Sequence, residues 1–246
     1  MAMDFTGKTV LVTGGVGGIG KAIADYLYSL GATLILTGIP QEHVELLNAK
    51  NPDRRTYIEV DFMDPTSMER FTERLKQFDR IDACVNNAGI NIVRDYCEVP
   101  QQEFDKVFQV NMLAPYKILK TIIPTMVRNG YGRIVNIASI WSVINRPGRS
   151  SYSISKNAVA GLSKSLAVEF AAQNVLVNSV SPGFTLTELT ANTNTKEQIV
   201  ELSNKIPARR MAQPIEIARV VAFLISEENS YLTGQNIVVD GGYTII

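Results

Sequence analysis

One histidine, two cysteines and one tryptophan are all that 246 residues hold of those types. Each scarcity removes a class of function. The lone His43 has no Cys or His partners at metal-ligand spacing, so no metal is expected. Cys84 sits in an apolar run and Cys97 in a loop; both read as idle thiols, because a chain of this size needs no disulfide. Charge of one sign is also missing. The 24 Lys and Arg offset 24 Asp and Glu, so nothing draws the protein to nucleic acid or to an anionic membrane. No run approaches the ~18 apolar residues of a membrane span. The start, MAMDFTGKTV, lacks the apolar stretch of a signal peptide. G-x-S-x-G is absent too, which removes the serine hydrolases built on α/β sheets. These absences lead to the expectation of a cytoplasmic protein.

What is present is alternation. KTVLVT is a short β-branched run, followed by apolar positions Ile19, Ile23, Leu27 and Leu30 at helical period. TLILT, TYIEV, IDACVNN, RIVNIAS, VLVNSVS and QNIVVD repeat the strand pattern. Helices are expected over 41–48, 65–78, 103–128, 152–172 and 214–226, with Pro115 and Pro124 as kinks in the long one. Strands that are apolar throughout and alternate with helices predict an α/β fold, a Rossmann-like doubly wound parallel sheet of about seven strands. No linker or repeat divides residues 1–246, so one domain is expected. Ligands bind beyond the carboxyl ends of such strands.

The stretch TGGVGGIG, residues 13–20, follows the first strand and opens the first helix, the context of a phosphate-binding loop. It fits two registers: Gly15, Gly17 and Gly20, or Gly14, Gly18 and Gly20. Glycines there let backbone N–H groups approach a pyrophosphate at a helix N-terminus; the alternative is a tight turn without ligand. The second strand ends in Gly38 and Ile39, with neither an acid for a ribose diol nor a cation for a 2′-phosphate. Arg54 and Arg55 could serve a phosphate or be solvated charges. The cofactor is NAD or NADP, and the missing cation favours NAD.

SYSISK places Tyr152 and Lys156 four apart, on one helix face. A phenol of pKa ~10 is a poor base at neutral pH, and a neighbouring ammonium favours its anion. Such a pair can exchange a proton with an alcohol or ketone oxygen, with Ser139 at the end of the fifth strand bonding the same atom. An isolated pair could equally be packing and surface charge.

These features come in order along nearly the whole chain: TGGVGGIG, Asp61 after the third strand, NNAG (86–89), Asn111, Ser139, Tyr152-x-x-x-Lys156, PGFTLT and DGG. In this the chain resembles the short-chain dehydrogenase/reductase family. The resemblance implies the Gly14, Gly18, Gly20 register, leaving Gly15 and Gly17 permissive. It implies a catalytic set of Asn111, Ser139, Tyr152 and Lys156, with Asn111 holding a water that links Lys156 to solvent. It implies a nucleotide cleft lined by Gly14, Gly18, Ile19, Gly20, Gly38, Asp61, Phe62, Asn87, Ala88, Gly89, Tyr152, Lys156, Pro182, Gly183, Thr185 and Thr187. The implied reaction interconverts a secondary alcohol and a ketone, and the implied assembly is a homotetramer. Asn86 and Asn178 are expected to support the sheet.

Substrate contacts are expected from Ser139, Trp141, Arg146, Arg149 and Phe184, with Asn91, Ile92, Arg94, Asn145 and Leu189 as further candidates. Arg146 and Arg149 either hold an anionic substrate group or are solvated loop cations. The polar stretch at 187–205 is expected to be a mobile lid. Gln173-Asn174 replace an arginine frequent in family members that reduce carrier-bound chains. Two alternatives stand: a reductase of carrier-bound 3-oxoacyl chains, and a cofactor-binding regulatory protein without turnover.

Overall fold

The computed structural model describes residues 3–50 and 53–246. Seven strands form one parallel sheet in the order β3-β2-β1-β4-β5-β6-β7. They are β1 (Thr9–Val12), β2 (Thr33–Gly38), β3 (Arg55–Glu59), β4 (Ala83–Asn86), β5 (Gly132–Ile137), β6 (Val175–Pro182) and β7 (Asn236–Val239). With α9 (Pro214–Ile225), five helices cover the two faces: α1 (Gly18–Ser29), α2 (Gln41–Lys50), α3 (Pro65–Leu75), α5 (Ala114–Arg128) and α6 (Ser150–Phe170). The remaining helices are α4 (Gln101–Phe108), α7 (Glu188–Thr193) and α8 (Lys196–Asn204).

Strand side chains alternate between two cores, as the pleat requires. Val10, Val12, Leu34 and Leu36 face Ile23 and Leu27 of α1 and Ile217 and Val221 of α9. Leu11, Ile35 and Cys84 face Phe71 of α3 and Ile118 and Leu119 of α5. Burying both faces explains why the strands read as continuous apolar runs.

The ends of elements differ from the sequence reading where capping decides them. Asp64 caps α3 by accepting from the Thr66 N–H, so the start at Pro65 holds, but regular helix stops at Leu75 instead of residue 78. Helix α6 begins at Ser150, which puts Tyr152 inside its first turn. The expected helix at 103–128 is α4 and α5 joined by a π turn, Gln109–Leu113. Pro115 has no N–H, so the carbonyl four residues back, on Asn111, has no α-helical donor. The wider π turn absorbs that loss.

The sheet order reverses between β1 and β4. A crevice opens beyond their carboxyl ends at such a switch point. Thr13 ties its rim together. Its hydroxyl accepts from the N–H groups of Asn87 and Ala88, both at 3.0 Å.

Candidate active site

The glycine loop shows which register the backbone requires. Gly14 and Gly18 lie at φ +63° and +53°, a region that favours glycine. A Cβ on Gly20 would stand 2.1 Å from the Gly14 carbonyl oxygen. Gly17 has open space around it and an extended φ of −152°, so any residue fits there. Gly15 departs from the expectation of a permissive position: a Cβ would meet Leu36 Cδ2 at 2.8 Å. Glycine is therefore needed at 14, 18 and 20 for conformation or close approach, while a side chain at 15 would have to displace Leu36 of β2.

Around this loop the structure gathers many of the residues expected to line a nucleotide cleft. Asn87 donates through Nδ2 to the carbonyls of Thr13 and Gly14, at 3.0 and 3.2 Å, bracing the loop from β4. Thr187 lies against Gly18, where a Cβ would meet Thr187 Cγ2 at 3.6 Å. Gly183 donates to the Val239 carbonyl, and a Cβ there would press on Asp240 at 2.7 Å. The buried Thr185 bridges to Ala212, and Pro182 ends β6. Ile19, in the first turn of α1, packs on the core. Asp61 accepts from the Met63 N–H. A cradle open at glycine positions and facing a helix N-terminus fits a dinucleotide pyrophosphate.

Position bears on three expectations. The Phe62 ring is buried edge-on against Phe71, with centroids 6.0 Å apart, so the ring belongs to the core. Arg54 and Arg55 stand at the amino end of β3, opposite the ligand end. There Arg54 donates to the Ala32 carbonyl and Arg55 pairs with Asp25. Arg94 is held bidentately by Glu103 at 2.8 and 2.9 Å and is not a free substrate contact. The Leu189 side chain lies outside the described residues.

Asn111, Ser139, Tyr152 and Lys156 come together at the ends of β4 and β5. Gly89 is where two of them meet: a Cβ on it would lie 3.2 Å from Asn111 Oδ1 and 3.4 Å from Lys156 Nζ. The Asn111 amide is fully used. It donates to the Ile90 carbonyl and to Ser155 Oγ, and accepts from the Ile90 N–H, all at 2.8–2.9 Å. Lys156 is buried and donates to the Ile137 carbonyl at 2.7 Å. Burial pushes its ammonium down to about 8.

The electrostatics of the phenol differ from the simple lysine argument. Burial holds the Tyr152 phenol above its ordinary value, opposed by a hydrogen bond from Ser139 and by the charge of Arg149. Lys156 Nζ sits 5.6 Å from the ring centroid. The helical spacing brought the ammonium near, but depth in the protein dominates both groups.

Aromatic rings wall the space beside this cluster. Trp141 and Phe184 meet edge-on at 6.4 Å, and Phe184 meets Tyr243 at 5.1 Å. Tyr243 was missed because nothing in its sequence spacing connects it to the cluster. A buried polar chain beneath was also missed: Asn86 Nδ2 donates to Asn136 Oδ1, and Asn136 Nδ2 to Ser163 Oγ. Only the run of polar residues at strand ends hinted at it. Asn178 supports the sheet margin, donating to the Leu232 carbonyl and accepting from the Gln235 N–H.

A switch-point cradle, with a tyrosine and a lysine one helical turn apart beside it, defines a pyridine-nucleotide oxidoreductase. Comparison with known proteins narrows the class. A family model described as enoyl-(acyl carrier protein) reductase matches residues 14–244. A 3-oxoacyl-[acyl-carrier-protein] reductase FabG from Rickettsia bellii is 36% identical over 99% of this chain and 100% of its own. The oxidoreductase UcpA of Escherichia coli is 36% identical over 98% of this chain and 95% of its own. A structure assigned as an NAD(P)-dependent gluconate 5-dehydrogenase from Beutenbergia cavernae, with bound NADP at low occupancy, superposes with a TM-score of 0.90. It is 34% identical over 98% of both chains. The chain belongs to the short-chain dehydrogenase/reductase family and is an NAD(P)-dependent oxidoreductase.

Proposed function

We propose that the protein interconverts a secondary alcohol and a ketone on a small hydroxy or oxo compound, with Tyr152 as the acid/base. The convergence of Tyr152, Ser139 and Lys156 at the end of β5 carries this reading. The bound nicotinamide supplies the hydride acceptor or donor. Tyr152 exchanges a proton with the substrate oxygen at its phenol oxygen. Ser139 bonds the same oxygen and keeps it within reach. Lys156, anchored on the Ile137 carbonyl, has further N–H donors for the nicotinamide ribose. In this reading Asn111 holds a water that connects Lys156 to solvent. Because burial keeps the phenol protonated at neutral pH, Tyr152 is set to act as an acid towards a ketone. Oxidation, which needs the phenolate, gains with rising pH.

NAD is the preferred coenzyme in this reading. The Val16 side chain fills the space over Gly38, where a Cβ would meet Val16 Cγ1 at 2.6 Å. That apolar contact leaves no cation for a 2′-phosphate. The segment at 187–205 acts as a lid, and the molecule works as a homotetramer in the cytoplasm, where the unpaired Cys84 and Cys97 stay reduced.

Carrier-bound 3-oxoacyl reduction is the second reading, favoured by the FabG relatives. One panel separates the two. Hydroxy acids, polyols, their ketones and acetoacetyl-CoA are assayed with NAD(H) and NADP(H) by nicotinamide absorbance. Turnover of free small compounds with NAD(H) is expected. Turnover confined to the thioester, with NADPH, would overturn the primary reading.

A further inference from the structure

A guanidinium without a hydrogen-bond partner at its buried Nε lies beside the proposed acid/base. Arg149 is half-buried at the amino end of α6, with its Nε enclosed and without a hydrogen-bond partner. Arg55 also leaves its Nε unpaired, but its Nη2 holds Asp25 at 3.1 Å. Among the described residues, neither Arg149 nor Arg146 has an ion-pair or side-chain hydrogen-bond partner. The neighbouring Arg94 is paired with Glu103.

Both free guanidiniums face the same ring. The Arg146 carbon lies 5.1 Å from the Trp141 centroid and that of Arg149 lies 5.9 Å away. The two repel each other, and the nearness of Arg146 adds to burial in pushing Arg149 below its ordinary range. Desolvating a cation next to a second cation costs free energy in the empty protein. Buried polar groups left unpaired in a folded protein mark a missing partner. Arg146 is exposed and Arg149 half-buried, and the loop between them is tied down where the Arg94 N–H bonds the Gly148 carbonyl at 3.1 Å. Trp141 is itself buried, with its carbonyl bonded by Ser153 of α6.

We propose that Arg149, with Arg146 beside it, binds an oxyanion of the substrate, so that the substrate is a small hydroxy or oxo acid. This rests on the dehydrogenase reading above. A guanidinium stacked on an aromatic face presents a planar fork to a carboxylate. Arg149 is close enough to influence the Tyr152 phenol. A small acid held by Arg149 would present its hydroxyl- or oxo-bearing carbon to Tyr152. The neutral thioester of a carrier-bound chain offers no such group near its reacting carbonyl. Arg149 and Arg146 thus select free acids over thioesters, and over polyols of the same length.

Trp141 is the only tryptophan in the chain, so its emission reports on this pocket independently of turnover. Three-carbon to six-carbon hydroxy acids are titrated into the NAD-loaded protein, beside polyols of equal length and their phosphate monoesters. The same compounds are assayed for kcat/KM. Saturable changes in Trp141 emission are expected with the acids and not with the polyols, and are expected to vanish in Arg149→Met. In that variant the acid-to-polyol ratio of kcat/KM is expected to fall by about 10–100-fold, with partial recovery in Arg149→Lys. Using the ratio removes any effect Arg149 has through Tyr152, which acts on both substrates alike. A response to the phosphate monoesters that exceeds the response to the acids would place the oxyanion on a phosphate and exclude the carboxylate. An unchanged ratio in Arg149→Met, or emission changes shared by polyols, would overturn the anion site while leaving the dehydrogenase intact. Acid-specific emission changes that need Arg149, without turnover of any alcohol or ketone, would keep the anion site and overturn the dehydrogenase.

Discussion

Lys156 shows how far a residue's neighbours on the chain describe its chemistry. The four-residue spacing from Tyr152 was enough to place the two groups on one helix face. It did not show that α6 packs that face into the protein at the Ile137 carbonyl, where desolvation governs both. A similar limit applied to the glycines. Strand, loop and helix were plain in TGGVGGIG, but two registers fitted until φ values and close contacts separated Gly14, Gly18 and Gly20 from Gly17. The buried lysine has a consequence for stability. Its folded-state value, about 8, lies below the ~10.4 of an exposed lysine. Between those values the unfolded chain binds the extra proton, so this group's contribution to stability rises with pH across that window. The Tm of wild type minus that of Lys156→Met is expected to be flat below pH 8 and to grow towards pH 10.4. A difference that falls over the window would contradict the burial of this ammonium.

Among the elements, the long strands and the amphipathic helices were legible because both faces of the sheet are covered and the periods are clean. The segment after β6 was not. Its polar composition hid two helices, α7 and α8, each started by a threonine. Thr187 accepts from the Thr190 N–H, and Thr195 forms a reciprocal capping box with Gln198. Such caps lie in the sequence as T-x-x-T and T-x-x-Q, but without an apolar stripe they carried no weight. α8 buries no side chain, so little packing holds it down, and local opening costs little for such elements. The two helices lead from Thr187, which touches Gly18, to the buried Ile206 and Met211. Limited proteolysis is expected to cut within 188–204 in the free protein. NAD with a bound hydroxy acid is expected to slow that cleavage, and cleavage unaffected by the ligands would remove the lid.

At the scale of the whole molecule, the doubly wound sheet and the position of its crevice were readable from element order alone. What a single chain's sequence hides is which apolar surface would meet another copy in the proposed tetramer. Between α5 and α6 an open groove is lined by Tyr116, Leu119, Ile123, Leu162, Leu166 and Phe170. The chain ends on the exposed Ile245 and Ile246, beyond the edge strand β7. Light scattering at micromolar concentration is expected to give a mass near four times 27.1 kDa; a monomer would contradict the tetramer. The central claim concerns the chemistry at Tyr152, and one comparison tests it directly. Tyr152→Phe removes a single oxygen from a ring held in place by α6. The oxidation rate of the best substrate from the panel, followed as NADH formation at saturating NAD, is expected to fall by about 10²–10⁴-fold, with NAD binding retained. A variant that binds NAD and turns over like wild type would show that the proton passes elsewhere.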